Sequence, residues 1–129
     1  MSAEDRTPPP LHELEGKVMA AVWDRDTATV REILSDINAH ASKELAYTTI
    51  MTIMGRLHRK GILERERDGR TDVYSPRYSR EQYHEARARV EVQALVDEFG
   101  DTALLHFTRQ VQSLDPVRRQ QLRRMARRD

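Results

Sequence analysis

Between Leu45 and Leu63 the chain carries three threonines (Thr48, Thr49, Thr52), two arginines (Arg56, Arg59), a histidine, a lysine and no Asp or Glu. A threonine can donate to a phosphate oxygen or lay its methyl beside thymine, and a guanidinium can clamp guanine or a phosphate. These residues suit recognition of nucleic acid rather than the making or breaking of bonds. Charged residues make up 33% of the chain, and residues 11–78 hold as many acids as bases. The acid-free stretch is therefore a local segregation of charge. The competing reading is an ordinary solvated helix face.

The spacing around these residues predicts a helix over Thr48–Lys60. Ile50, Ile53, Met54 and Leu57 form an inward stripe, with Thr48, Thr52, Gly55, Arg56 and Arg59 opposite. Such a helix is about 20 Å long and fits the major groove. Gly55 costs roughly 1 kcal/mol of helix propensity relative to Ala, which suggests a close approach at that point. Gly61 follows the last turn, where a left-handed residue often ends a helix.

Two helices are expected before it. Leu14, Val18, Ala21 and Val22 share a face, with Trp23 adding bulk near the end. Thr29 and Glu32 then form a capping box ahead of Val30, Ile33, Leu34 and Ile37. After Gly61, two partly alternating runs flank Asp68-Gly69-Arg70-Thr71, a hairpin signal, and Pro76 should end the second strand. Arg70 at the tip is within reach of a nucleic-acid backbone if the third helix docks. The order predicts a mainly α fold with a small β wing: a winged helix-turn-helix domain over residues 11–78. Residues 1–10, ending in Pro8, Pro9 and Pro10, are expected to form a loose tail.

Residues 79–129 predict three helices and no strand. Ser79 with Gln82 caps the first, Gly100 breaks it, and Asp115-Pro116 opens the last. Val92, Leu95, Val96 and Phe99, then Leu104, Phe107 and Val111, then Leu122 and Met125 are the apolar positions. They are too few to build a core alone, so the segment reads as half of a shared core, a helical dimerisation domain. The C-terminal arginines (Arg118, Arg119, Arg123, Arg124, Arg127, Arg128) read as a solvated face.

Composition narrows the class. A formal charge of +1 means that nucleic-acid affinity must come from local placement of charge. With no cysteine there is no disulfide, thiolate metal site or cysteine nucleophile. The five histidines (His12, His40, His58, His84, His106) make no H-E-x-x-H pair, and no phosphate loop or nucleophile elbow is present. Neither catalysis nor a cofactor is expected; a zinc site at His84 with Glu81 or Glu85 has nothing to select it. No apolar run approaches the ~20 residues of a membrane span, and a soluble, cytoplasmic protein is expected.

The runs L-E-G-K-V-M-A-A-V-W, T-V-R-E-I-L and Y-T-T-I-M-T-I-M-G-R-L-H-R-K-G, with the R-x-x-x-Y of Arg70–Tyr74, resemble the penicillinase-repressor family of transcriptional regulators. The resemblance extends over nearly all of residues 11–129. It implies a homodimeric winged-helix repressor binding a palindromic operator, with the third helix in the major groove and the wing against the backbone. By position, Thr48, Thr49, Met51, Thr52 and Arg56 would face DNA, with Arg59 on the same side and Arg70 supporting from the wing. Several relatives have a basic residue where this chain has Met51. In one branch a membrane-bound sensor with a zinc-protease domain leads to a cut in the dimerisation arm. The matching bond lies between His106 and Phe107, where relatives can have asparagine in place of His106; core packing is the plainer reading of that segment. The copper-sensing mode uses a cysteine cluster that this chain lacks. Two other readings stay open: release by a small-molecule ligand, or a protein-interaction module without DNA. Control of β-lactamase is an association of the family, not a property of these residues.

The inward stripe has a direct test. Leu57→Asp should abolish the cooperative unfolding transition followed by circular dichroism, because it buries an unpaired charge; a folded, soluble variant would overturn the assignment.

Overall fold

A computed structural model describes residues 7–128. The elements run α1 (Glu13–Arg25), α2 (Val30–Asn38), α3 (Tyr47–Arg59), β1 (Leu63–Asp68), β2 (Thr71–Pro76), α4 (Arg80–Phe99), α5 (Asp101–Gln112) and α6 (Pro116–Ala126). The chain divides into two compact units, the first reaching Ala88 and the second beginning at Arg89.

Local chemistry sets most boundaries. The Thr29 hydroxyl accepts from the Glu32 amide at 3.2 Å while the Glu32 carboxylate accepts from the Thr29 amide at 2.9 Å, closing the expected capping box. Ser79 and Gln82 do the same at the start of α4, at 3.0 and 2.9 Å. Asp115 accepts from the Arg118 amide at 3.0 Å, with Pro116 as the first residue of α6. Helix α3 ends in a Schellman motif. The Ile62 amide donates to the Leu57 carbonyl and the Gly61 amide to that of His58, both at 3.0 Å, with Gly61 at φ +80°. Ile62 and Leu57 are both fully buried, supplying the apolar contact that accompanies the motif.

The core of the first unit gathers Val18, Met19 and Val22 of α1, Val30 and Ile33 of α2, and Ile50, Ile53, Met54 and Leu57 of α3. Ile62, Leu63 and Tyr74 of the wing and Tyr83 of α4 complete it. The α3 stripe is as expected. On α1 the stripe sits differently: Leu14 and Ala21 are only partly buried, while Met19 and Glu15 are at 0% and 1% exposure. Apolar spacing alone hides Glu15, because a carboxylate enters a core only when something distant answers its charge.

The answer is Lys60, just past α3. Its ammonium donates to both Glu15 oxygens at 2.9 and 3.1 Å, and the carboxylate also accepts from the His12 amide at 3.0 Å. Burial pushes the Glu15 pKa up, but the His12 amide and the Lys60 ammonium outweigh it, and the net shift is downward.

The wing is an antiparallel hairpin registered from Leu63↔Pro76 to Asp68↔Thr71. Its two-residue tip is Gly69-Arg70, with Gly69 at φ +64°, the position that takes glycine in a type II′ turn. A third backbone segment joins it: Ala28 and Tyr74 exchange amide–carbonyl bonds of 2.9 and 2.8 Å. This ties the α1–α2 connection to the wing.

Two boundaries differ from the sequence reading. The proline run is not a loose tail over its described part, since Pro8 is buried and the carbonyls of Pro9 and Pro8 accept from the Tyr83 hydroxyl and Arg87 at 2.9 and 3.1 Å. Residues 1–6 lie outside the described residues. The division between units falls inside α4 rather than at residue 78, because the first turns of α4 pack on the winged helix. The Tyr83 ring lies 5.6 Å from that of Trp23, whose indole N–H donates to the Tyr78 carbonyl at 2.8 Å.

The Glu15–Lys60 pair yields a prediction. Lys60→Met should lower the unfolding free energy at neutral pH by about 3 kcal/mol, by stranding a buried carboxylate; Glu15→Gln in the same chain should restore much of it. Because the Glu15 pKa is lowered on folding, its contribution is present above the ordinary carboxylate pKa of about 4 and fades as pH falls below it. Urea titrations across that range should show a shallower acid loss in Glu15→Gln, and an unchanged stability of Lys60→Met would remove the pair as a determinant.

Candidate nucleic-acid interface

Helix α3 is divided lengthwise. Its core stripe is buried, whereas Thr48, Met51, Thr52, Arg56 and Arg59 are exposed and Thr49 and Gly55 are half-buried. Both ends are fastened. The Asn38 side chain accepts from the Leu45 amide at 2.8 Å and donates to the Leu45 carbonyl at 3.1 Å, fixing the turn from α2. The Schellman turn and the Glu15–Lys60 pair hold the other end. Lys60 is thus a structural cation, and the outward groups of α3 take no part in the core.

Charge around the face is arranged so that positive groups remain available. No acid lies in the first turn of α3, and its N-cap, Ala46, offers no side-chain bond, leaving the positive end of the helix dipole unopposed by its own sequence. Asp36 of α2 is engaged by Arg25, whose hydrogen bond holds the carboxyl below its ordinary pKa. Among the wing arginines, Arg65 stands opposite Tyr74 in the hairpin, and the Tyr74 hydroxyl raises its pKa. Arg67 donates to the Gly69 carbonyl and to Asp72, each at 3.2 Å. Arg70 at the tip makes no ion pair or side-chain hydrogen bond with the described residues, and neither do Arg56 and Arg59.

The sequence-derived positions fall into two groups. Thr48, Thr49, Thr52 and Arg56 line one shallow recess along α3, of about 400 Å³. Met51 and Arg70 line another, of about 200 Å³, between α3, the start of α2 and the wing. Arg59 borders neither; its guanidinium is the nearest group to a Cβ built on Gly55, at 3.6 Å. Beyond the adjoining residues and backbone of α3 itself, nothing else among the described residues comes within 4 Å of that point, so no neighbouring element demands the glycine.

Two residues of the second recess were not singled out from sequence. Arg31 projects from α2 with its guanidinium 5.5 Å from the centre of the Tyr47 ring. Thr29-Val30-Arg31-Glu32 reads as a cap, and only the fold brings its arginine to the wing side of α3. His84 lies against the Trp23 and Tyr83 rings, at 6.1 Å from each. No group of three or more His, Cys, Asp or Glu residues able to hold a metal occurs among the described residues.

In the second unit, Val92, Leu95, Phe99, Leu104, Leu122 and Met125 are exposed, and Val96, Phe107 and Val111 are half-buried. His106 is exposed on α5. No helix among the described residues is long and apolar enough to cross a membrane.

Comparison with known proteins agrees with this architecture. A family model described as penicillinase repressor matches residues 11–128. The transcriptional regulator BlaI of Mycobacterium tuberculosis is 35% identical over 104 residues, covering 78% of this chain and 73% of that protein. The penicillinase repressor of Bacillus licheniformis is 26% identical over 80 residues, 62% of this chain and 61% of the relative. The solution structure of the DNA binding domain of the repressor BlaI aligns at a TM-score of 0.51 and 26% identity, covering 60% of this chain and 92% of that one. The chain belongs to the penicillinase repressor family: it is of the winged-helix transcriptional-repressor class and not an enzyme.

Proposed function

We propose that this protein is a cytoplasmic homodimer that represses transcription by placing α3 of each protomer in the major groove of an inverted-repeat operator. The observation that carries the reading is the outward face of α3. Thr48, Thr52, Arg56 and Arg59 are exposed, no acid interrupts them, and the two arginines make no ion pair or side-chain hydrogen bond with the described residues. Thr49 and Met51 complete the contact set, and Arg70 reaches the backbone from the wing. Phosphate contacts fix register, while groups on the helix read base edges.

The domain assignment follows the same logic. Residues 11–78 carry recognition, the first turns of α4 brace them, and the remainder of residues 79–129 dimerises. In the second unit Ala103 is the one buried residue among those described. Helices that bury so little need another surface. A second copy supplies the matching one and spaces two recognition helices for two half-sites. Relief of repression by a membrane-bound sensor protease is part of the proposal, with the cut between His106 and Phe107. That bond sits within α5, so cleavage requires local unwinding of the helix and would detach α6.

Selection of fragmented genomic DNA on the purified protein, beside Arg56→Ala and at two salt concentrations, tests the reading. Enriched fragments should share an inverted repeat and lose it in the variant. Salt-sensitive binding with no shared sequence would reduce α3 to a generic basic surface, and no binding would bring the protein-interaction reading forward.

Gly55→Ala gives a second test. A methyl there meets only the Arg59 guanidinium, so unfolding free energy should rise by up to about 1 kcal/mol. Affinity for the selected duplex should fall nonetheless, since the methyl stands where the groove approaches; unchanged affinity would remove Gly55 from the interface.

A further inference from the structure

Tyr47 and Met51 are 41% and 45% exposed, and they are the exposed large hydrophobic residues of the first unit among the described residues; the others lie beyond Ala88. Four positions apart, they stand one turn above the other on the same shoulder of α3. Neither fills the core, and a soluble domain gains nothing from leaving a methionine exposed beside threonines and arginines. Their recess is flanked by Arg31, whose guanidinium sits over the Tyr47 ring, and by Arg70 at the wing tip. Asp72 lines the same recess but is engaged by Arg67 at 3.2 Å, so Arg31 and Arg70 are the cations left bordering the floor of Val30, Tyr47 and Met51. The Thr49–Arg56 shoulder of the same helix, by contrast, offers hydroxyls and a guanidinium.

In the major groove the apolar feature that distinguishes one base pair from another is the C5-methyl of thymine. A flexible thioether is well suited to pack on a methyl whose position shifts slightly between sites. It cannot donate to guanine as a basic side chain would. We propose that Met51, braced by Tyr47, reads the methyl group of a thymine in each half-site, while Arg31 and Arg70 hold the flanking phosphates. Met51 is thereby a specificity-determining residue, and the surface around it is fitted to an A·T pair. The proposal rests on the reading of α3 as the groove-binding helix and adds which base this shoulder selects.

The test uses the full-length protein and the duplex enriched from genomic DNA, synthesised with deoxyuridine replacing each thymine in turn. Uracil pairs as thymine does and lacks only the methyl. At one thymine per half-site, replacement should weaken wild-type binding about fourfold, the worth of one buried methyl group. Met51→Ala should bind the thymine duplex more weakly and show no difference between thymine and uracil there. Arg70→Ala, which removes a phosphate contact, should bind more weakly throughout yet keep the wild-type ratio. Equal binding of every uracil duplex by the wild type would overturn the proposal while leaving groove reading intact. So would a uracil effect that persists in Met51→Ala. Undiminished DNA affinity in Met51→Ala would assign the exposed pair to a protein partner instead. Loss of any preference for the enriched duplex over a scrambled one would overturn both this assignment and the reading beneath it.

Discussion

A carboxylate 1% exposed stays ionised only while its charge is answered, and Glu15 is answered by Lys60 and the His12 amide. The consequence is geometric as much as energetic. Glu15 lies in the first turn of α1 and Lys60 one residue beyond α3, so a single ion pair locks the start of the first helix to the exit of the third. The chain leaves that exit through Gly61 into β1. The direction of α3 and the root of the wing are therefore set at one place. An apolar pair would hold the helices together with less angular definition; two hydrogen bonds to one carboxylate admit few orientations.

With α3 fastened there and at Asn38, its outward residues carry no structural duty. Thr48, Met51, Thr52 and Arg56 can vary without touching the core, and a change of binding preference need not cost stability. The wing shows the same economy. Arg65 and Arg67 serve the hairpin through Tyr74, Gly69 and Asp72, which leaves the tip arginine for a partner. The Ala28–Tyr74 bridge then joins the α1–α2 connection to the sheet, so that Arg31 and Arg70 border one recess.

The second unit obeys the opposite rule. Asp115 caps its last helix, yet its helices bury almost nothing by themselves, and their larger apolar residues are at the surface. Helix formation needs only local capping and propensity, whereas stability needs an apolar face to be covered. Under the proposed reading a second copy covers that face, and anything that interrupts α5 or α6 would act on the shared surface.

How much of this was legible beforehand follows from range. Thr29 with Glu32, Ser79 with Gln82, Asp115 with Pro116, and the glycines at 61, 69 and 100 act within a few residues of themselves. The sequence by itself therefore determined the order of elements, their ends and the inward stripe of α3. It also determined the polar face, because helical periodicity sorts side chains before any packing occurs. Tertiary structure decided what depends on distant partners. Glu15 reads as one more surface acid until Lys60, 45 residues away, closes on it. Pro8 and Pro9 read as a tail until Tyr83 and Arg87 take their carbonyls. Arg31 and Tyr47 read as a cap neighbour and a helix start until the wing folds beside them. Periodicity carries no information about which far residue will answer a charge or a carbonyl; only the folded chain brings those groups within bonding distance.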